Sequence, residues 1–247
     1  MSAPILLIPI ALEWVLLITT LAPVALVGRF NTRPRLGLAI WFGSLLSAGL
    51  ATCLALVVAI WSYFDTFAAL EASLFGDSEW FMALAVSFGP WLALLLGGVS
   101  LVLVQQRLEP LVQTARQIKP AVDQAKQPLL NFMGTPVFAI DLPFAYAVAG
   151  RREIIVSSAL QNLLNTDAFA AVLWHELGHV RGRHFGLKKL ARLVRVLSPK
   201  MAASKALVLE VERLCEVVAD DYAVRNLGNK KAPALESARA IFKDSAF

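Results

Sequence analysis

Long apolar segments constrain this chain more than any other feature of its sequence. Three mostly apolar runs, Ile5–Val27, Leu36–Phe64 and Phe81–Val104, reach the roughly 20 residues that cross a bilayer as a helix. The chain is also 57% hydrophobic, above the roughly 45 to 50% of soluble domains. No basic stretch precedes the first run and no small-residue cleavage site follows it, which favours a retained helix over a signal peptide. The sequence therefore predicts three transmembrane helices within residues 1–104.

Charges in the two loops predict the orientation of these helices. The first loop carries Arg29, Arg33 and Arg35, whereas residues 65–79 carry four acidic residues and no lysine or arginine. Because positively charged loops stay inside the cell, we expect an integral membrane protein with its N-terminus outside and everything after Val104 in the cytoplasm. The net charge of +5 fits contact with the lipid bilayer. The sequence contains no aromatic-rich basic motif of the kind that would indicate nucleic-acid binding.

The cytoplasmic part divides into a connecting helix and a final domain. Residues 105–128 carry apolar side chains every three or four positions, but Pro110 and Pro120 argue against a long coiled coil. Packing on the domain that follows is therefore preferred over a dimer stalk. Residues 129–247 form that domain, and its small sheet is predicted at Val137–Ile140, Ala145–Ala149 and Glu153–Ser157. The predicted fold is mostly α, with three transmembrane helices followed by a cytoplasmic α+β domain.

The segment His175-Glu176-Leu177-Gly178-His179 reads H-E-x-x-H. On a helix, the two histidines project from one face and can bind a single metal ion. Glu176 lies beside that face, where its carboxylate can take a proton from a water molecule that attacks a carbonyl. Good N-cap residues at Asn165-Thr166-Asp167 and apolar residues at helical spacing place the motif on a helix. The pattern indicates a zinc peptidase site rather than an ordinary helix with two histidines.

A catalytic zinc site needs a third protein ligand and one position for water. A long helix predicted from about Ala202 to Arg225 offers Glu212, Glu216 and Asp220 on one face. Spacing alone leaves the choice between Glu212 and Glu216 open. The neighbouring Cys215 points away from that face, so we expect a packed thiol.

A basic amphipathic helix follows the motif and ends at Ser198-Pro199. Basic and apolar residues alternate in it from Arg181 to Val196, which suits either the inner membrane surface or a solvated helix with one buried face. Both interpretations stay open. His184, within this segment, is expected to be a surface histidine without an assigned role.

Two stretches of the sequence resemble membrane metallopeptidases. His175 to His179, followed by Glu216-Val217-Val218-Ala219-Asp220, resembles the H-E-x-x-H plus E-x-x-A-D pattern of integral-membrane gluzincins. The BlaR-type antibiotic-sensor family and the related HtpX-like and CAAX-protease family share this pattern. The segment from Tyr146 to Leu160 is similar to the one that precedes the motif in the BlaR-type family. The resemblance implies a zincin-like metallopeptidase domain with a Zn²⁺ ion bound by His175, His179 and Glu216, with Glu176 as the base and Asp220 orienting a ligand histidine.

The resemblance further implies a zinc metalloendopeptidase anchored in a bacterial cell membrane. Its substrate would be a protein or peptide on the cytoplasmic side. The BlaR-type likeness implies a regulator such as a transcriptional repressor, and hence signal transduction, whereas the HtpX-like likeness implies quality control of membrane proteins. The sequence to Phe247 contains neither the further span nor the penicillin-binding sensor of antibiotic-sensing relatives, so we do not expect antibiotic sensing.

Two expectations about the catalytic domain leave alternatives open. Peptidases commonly hold substrate as an added strand on a sheet edge, so the strand at Ala147, Val148 and Ala149 is a candidate substrate site; a purely structural hairpin is the alternative. A non-catalytic zinc-binding membrane sensor is the rival to an enzyme. Glu176 argues against that rival, because a structural zinc site needs no base.

Overall fold

The computed structural model of the protein is mostly helical and contains a small mixed sheet. It describes residues 7–72 and 117–228, together with positions 103, 106, 107, 109, 110, 113, 114, 234, 236 and 237. Two apolar helices come first, and the sheet and the remaining helices follow. This order agrees with the predicted mostly α fold with a small sheet.

Helices α1 (Leu7–Leu26) and α2 (Pro34–Ala72) pack against each other as a hairpin. The turn between them contains Gly28 at a φ of 74°. Many large apolar side chains of the hairpin are exposed, including Val24 at 79% and Leu46 at 65%. Such exposure is unfavourable in water but not in lipid.

Among the described residues, Pro34–Ser62 of α2 is the one stretch long and apolar enough to cross a membrane. The apolar stretch of α1, Ile10–Leu26, is shorter than the length required of a membrane span. The third predicted span, at 81–104, lies outside the described residues except for position 103. One membrane-span candidate is therefore clear, and the presence of three spans stays a prediction.

The sheet contains strands β1 (Gln127–Phe132), β2 (Thr135–Ile140), β3 (Ala147–Ala149) and β4 (Ile154–Ser157) in the order β1-β2-β4-β3. β1 runs antiparallel to β2, β2 parallel to β4, and β3 antiparallel to β4. The three predicted strands fall on β2, β3 and β4. The prediction missed β1 and was wrong about the end of the connecting helix, because helical residues stop at 125 and β1 begins at Gln127.

The helices after the sheet are α3 (Ser158–Leu163), α4 (Thr166–Arg181), α5 (His184–Leu197) and α6 (Ala202–Leu227). α4 begins where the sequence indicates, because the Asn165 side chain accepts a hydrogen bond of 2.8 Å from the backbone N–H of Ala168. α4 ends at a break where Arg183 adopts a φ of 54°. The chain then reverses into α5, the basic amphipathic helix, and α6 returns along both.

Two hydrophobic cores position these helices. The first joins the sheet to α3 and α4 through residues that include Ile154, Val156, Leu160, Val172 and Leu177. The second joins the hairpin to α5 and α6 through Ala22, Leu38, Trp41, Ala191, Leu207, Val211, Leu214, Cys215 and Val218. Helix α6 therefore contacts the motif helix α4 on one side and the apolar hairpin on the other.

A buried carboxylate ties α6 to the hairpin turn. Glu210 is 3% exposed and accepts hydrogen bonds from the backbone N–H of Gly28 at 3.1 Å and from Arg213. Burial opposes its ionisation, but the hydrogen bonds from Arg213 and Gly28 outweigh burial and lower the pKa of Glu210. The turn and α6 thus form one packed unit.

Candidate metal centre

Helix α4 presents both motif histidines on one face. His175 and His179 lie one turn apart, and their Nε2 atoms approach to 3.2 Å. Their ring centroids are 4.9 Å apart and the rings are nearly perpendicular, at 78°. Both side chains are largely buried, with 16% of His175 and 9% of His179 exposed. The two ring nitrogens therefore converge on one point at the helix surface.

Helix α6 adds a carboxylate at the same point. Oε2 of Glu216 lies 3.3 Å from Nε2 of His175 and 3.4 Å from Nε2 of His179. Close packing of the two helices makes this approach possible. A Cβ added at Gly178 of α4 would lie 3.0 Å from the Cα of Ala219 in α6, so only glycine leaves the helices this close.

The three donor atoms fit a zinc ion. A tetrahedral zinc site with bonds of about 2.0 to 2.2 Å holds neighbouring donors about 3.3 Å apart, and the sides of the observed triangle measure 3.2, 3.3 and 3.4 Å. Two imidazoles and a carboxylate are also ligands that zinc prefers. Lone pairs that point at one another at this distance require a cation or protons between them. His175, His179 and Glu216 therefore form a group that could hold a metal ion.

Each of the three groups contacts a further polar side chain. Nδ1 of His175 lies 2.9 Å from Oδ1 of Asp220, and Nδ1 of His179 lies 2.7 Å from Nδ1 of His184. The Nζ of Lys188 donates to Oε1 of Glu216 at 2.7 Å. Asp220 comes from α6, whereas His184 and Lys188 lie one turn apart on α5. These contacts fix the orientation of the three candidate ligands.

The electrostatics of the cluster follow from burial and these hydrogen bonds. Burial opposes protonation of His175, but its hydrogen bonds with Asp220 and Glu216 prevail and raise its pKa to about 9. Burial also opposes ionisation of Glu216, and hydrogen bonds from both histidines and Lys188 reverse that effect and hold its pKa far below the ordinary range. Without a metal, the cluster therefore keeps a proton where a cation would sit.

Glu176 lies beside the three donor atoms but does not belong to the triangle. It is 8% exposed, and burial is the largest cause of its raised pKa, which the two histidines counteract. The backbone N–H of Ala149, in β3, donates a hydrogen bond to its carboxylate. A carboxylate with a raised pKa can both accept and return a proton near neutral pH.

The structure separates the residues that spacing left as alternatives. The Glu212 carboxylate accepts hydrogen bonds from Arg192 of α5 at 2.7 and 3.1 Å and does not belong to the group at the histidines. Cys215 is fully buried among the residues that join α6 to the hairpin, and burial raises the pKa of its thiol to about 12. Glu216 is the glutamate of α6 that the fold brings to both histidines.

The expectation that His184 is a surface histidine was wrong. Its side chain is 2% exposed, and burial, followed by repulsion from His179 and Lys188, lowers its pKa to about 4. The left-handed backbone of Arg183 turns the first residue of α5 back toward α4. The concentration of all three histidines within ten residues of sequence was the one signal that pointed to this contact.

The candidate substrate strand, β3, is an edge strand next to Glu176. Hydrogen bonds from Ser157 to Tyr146 and from Gly150 to Glu153 set the register of its pairing with β4. In this register the backbone groups of Val148 face β4, whereas those of Ala147 and Ala149 face the open edge. Of the three residues named as candidates, two therefore present backbone groups away from the sheet.

One family model matches part of the chain. A family model described as Peptidase family M48 matches residues 112–198, about a third of the chain. The matched segment runs from the helical residues before β1 to the end of α5 and includes both motif histidines, but it stops short of Glu216. No curated protein and no solved structure matches the chain. The M48 match, together with the cluster of His175, His179 and Glu216, supports a metallopeptidase.

Proposed function

We propose that the protein is a zinc metalloendopeptidase of the M48 type, anchored in the membrane and acting on a protein or peptide at the cytoplasmic side. The observation that carries the proposal is the triangle of His175, His179 and Glu216 with Glu176 beside it. Three protein ligands leave the fourth position of a tetrahedral ion for water, which is typical of catalytic rather than structural zinc sites.

In the proposed mechanism the three ligands hold the ion and Glu176 moves the proton. Bound zinc supplies Lewis acidity, which lowers the pKa of water and polarises the scissile carbonyl. The Glu176 carboxylate accepts the proton of the attacking water and afterwards donates it to the leaving amine. Burial of Glu176 favours this double role, because its raised pKa brings the acid and base forms closer in energy at neutral pH.

The open edge of β3 supports the proposed site for a peptide substrate. An extended peptide that pairs with the backbone of Ala147 and the carbonyl oxygen of Ala149 would run past the Glu176 carboxylate, since the N–H of Ala149 contacts that group. Backbone pairing of this kind holds peptides with little regard to sequence, which suits an endopeptidase.

Membrane attachment rests on the hairpin. The α2 segment Pro34–Ser62 is the clear span candidate, and the turn before it contacts α6 through Glu210. Since Arg29 and Arg33 lie in that turn, the rule that positive loops stay inside would place the catalytic helices in the cytoplasm. The N-terminus would then lie outside the cell.

The two family resemblances favour different classes of substrate. The BlaR-type likeness favours a cytoplasmic regulator such as a transcriptional repressor, and the HtpX-like likeness favours damaged membrane proteins. Proteomic comparison of cells with active and inactive enzyme distinguishes the two substrate classes. A regulatory protease should cleave one or a few soluble proteins, whereas a quality-control protease should produce fragments of many membrane proteins.

Replacement of the proposed base tests the function. Full-length Glu176→Gln protein, purified in detergent, should bind one zinc ion as the wild type does, because its three ligands are unchanged. Cleavage of casein should fall by roughly 100-fold or more, the usual contribution of a general base. Glu212→Gln, whose carboxylate pairs with Arg192, is the matched control and should keep its activity. Wild-type turnover by metal-loaded Glu176→Gln protein would contradict the proposal.

A further inference from the structure

His184 occupies a position that the peptidase chemistry does not require. It is the first residue of α5, is 2% exposed, and places its Nδ1 2.7 Å from Nδ1 of His179. The two rings meet edge to face, with centroids 4.9 Å apart and planes at 78°. The contact lies on the side of His179 opposite to the Nε2 atom that faces His175 and Glu216.

If His179 binds a metal through Nε2, the proton between the two Nδ1 atoms must be bonded to Nδ1 of His179. Neutral imidazole carries one proton, so an Nε2 lone pair on His179 requires the proton on its Nδ1. That N–H can only donate, and His184 must then accept with a bare Nδ1 and carry its own proton on Nε2. The opposite arrangement would protonate Nε2 of His179 and remove it as a ligand.

The backbone before α5 is shaped to admit this ring. A Cβ at Gly182 would overlap the His184 imidazole, and Arg183 adopts the left-handed conformation that turns the chain. Left-handed backbone is uncommon for a residue other than glycine, asparagine or aspartate, and costs free energy. Two features of the break between α4 and α5 thus accommodate the ring that contacts His179.

We propose that His184 is a positioning residue for the metal centre: it accepts the Nδ1–H of His179 and so holds that ring with Nε2 bare and directed at the ion. The inference rests on the proposed zinc site. Partners of this kind commonly fix the tautomer of a ligand histidine, and their loss typically costs about 10- to 100-fold in metal affinity. Asp220 has the corresponding place at His175.

A pair of substitutions separates the hydrogen bond from simple packing. His184→Asn keeps an acceptor, because its side-chain oxygen occupies about the same place as Nδ1 of histidine, whereas His184→Leu fills the space without one. The measurement is zinc affinity of the full-length protein in detergent, by competition with a chromophoric chelator. We expect a loss of about 10- to 100-fold in His184→Leu and an affinity close to wild type in His184→Asn.

The outcomes distinguish this inference from the proposed function. A wild-type protein that binds no zinc would overturn the proposed function. Tight zinc binding by the wild type and by His184→Leu alike would overturn only the role of His184. Equal losses in His184→Leu and His184→Asn would show that the ring matters through packing and would also overturn the inference.

A measurement on the unmutated protein guards against misfolding of the variants. The chain has only three histidines, so ¹⁵N-labelled histidine gives three resolvable rings in NMR spectra. The zinc-loaded protein should show His179 protonated at Nδ1 and His184 protonated at Nε2. A ring of His184 with its proton on Nδ1 would contradict the inference without any variant.

Discussion

At the scale of single residues, each candidate ligand has its own polar partner. His175 contacts Asp220, His179 contacts His184, and Glu216 contacts Lys188. The partners come from two helices, α5 and α6, that pack together. An ion held by the three ligands would therefore be oriented from both helices, and loss of a ligand should have a larger effect than loss of a partner.

Zinc content should distinguish Glu216 from its neighbours on α6. Glu216→Ala removes a direct bond, so a site with two histidines should lose zinc on dialysis. Asp220→Ala should keep zinc at saturating concentration but bind it roughly 10- to 100-fold more weakly. Glu212→Ala is the control and should bind normally, because its carboxylate pairs with Arg192. Elemental analysis of the three variants makes the comparison, and zinc loss in Glu212→Ala alone would show that the wrong glutamate is assigned.

Zinc affinity should fall as the pH falls below about 9. In the metal-free protein the hydrogen bonds with Asp220 and Glu216 raise the pKa of His175 to about 9, so below that pH zinc must displace a proton. The same proton stabilises the metal-free fold below the ordinary histidine pKa of 6.5, and that stabilisation disappears as the pH rises through about 9. Chelator competition between pH 7 and 9 measures the slope. Asp220→Asn, which lacks the charge that favours the proton, should flatten it, and a wild-type affinity independent of pH in this range would contradict the prediction.

Part of this site can be predicted from the sequence, and the rest cannot, for a physical reason. The spacing of His175 and His179 along one helix is local, so the motif alone places them on one face. The choice of Glu216 over Glu212 depends on how α6 packs on α4, and the contact of His184 depends on one left-handed residue, Arg183. Both are tertiary features that residue spacing does not encode.

At the scale of secondary-structure elements, the close approach of α4 and α6 is the feature that assembles the centre. Gly178 makes it possible, because a Cβ there would lie 3.0 Å from the Cα and 3.2 Å from the carbonyl oxygen of Ala219. Alanine normally stabilises a helix interior relative to glycine by about 1 kcal/mol. Here the helices would have to separate by some tenths of an ångström.

Two glycine substitutions should therefore have opposite effects on stability. Gly178→Ala should lower the unfolding temperature and weaken zinc binding, since it moves Glu216 away from the histidines. Gly186→Ala, in α5 with nothing within 4 Å of the added Cβ, should raise the free energy of unfolding by about 0.5 to 1 kcal/mol. Thermal unfolding in detergent compares them. Stabilisation by both substitutions would show that α6 can move away from α4 without loss of stability, which would contradict the prediction.

The strand that the sequence prediction missed, β1, illustrates a limit of local patterns. The connecting helix is predicted to end at residue 128, whereas Pro128 lies in β1. Proline disrupts a central strand as well as a helix. β1 is an edge strand with a register shift between Pro128 and Leu130, and such a position tolerates a proline. Only the arrangement of the whole sheet decides that this segment lies at its edge.

At the scale of the whole molecule, the orientation in the membrane remains a prediction that labelling can test. Cys53 is first replaced by alanine; Cys215 stays, because it is buried and its thiol has a pKa raised to about 12. An impermeant maleimide added to intact cells should then label Ser73→Cys, in the acidic loop, and should not label Ser237→Cys. Labelling of Ser237→Cys from outside would reverse the proposed orientation, and permeabilised cells, in which both should react, provide the control.

Composition alone predicts the helices of the hairpin but not their contacts with the rest of the chain. The charge-free run of Leu36–Phe64 lies within α2, because a long apolar run suits a long helix in any environment. The contact between the hairpin turn and α6 could not be foreseen, since Gly28 and Glu210 lie 182 residues apart in sequence. It joins two regions that sequence reasoning had assigned to different domains.

Helix α6 contacts the apolar hairpin and also contributes Glu216 to the candidate metal centre, and this limits how the protein can be divided. Glu210, which holds the hairpin turn, and Glu216 lie six residues apart, about 9 Å along the helix axis. A fragment cut free of α1 and α2 would expose Leu207, Val211 and Leu214, all now 3% exposed or less, and would leave the Glu210 carboxylate without its partner in the turn. Such a fragment would be prone to aggregation and only marginally folded, so the candidate metal centre and the hairpin are best purified together.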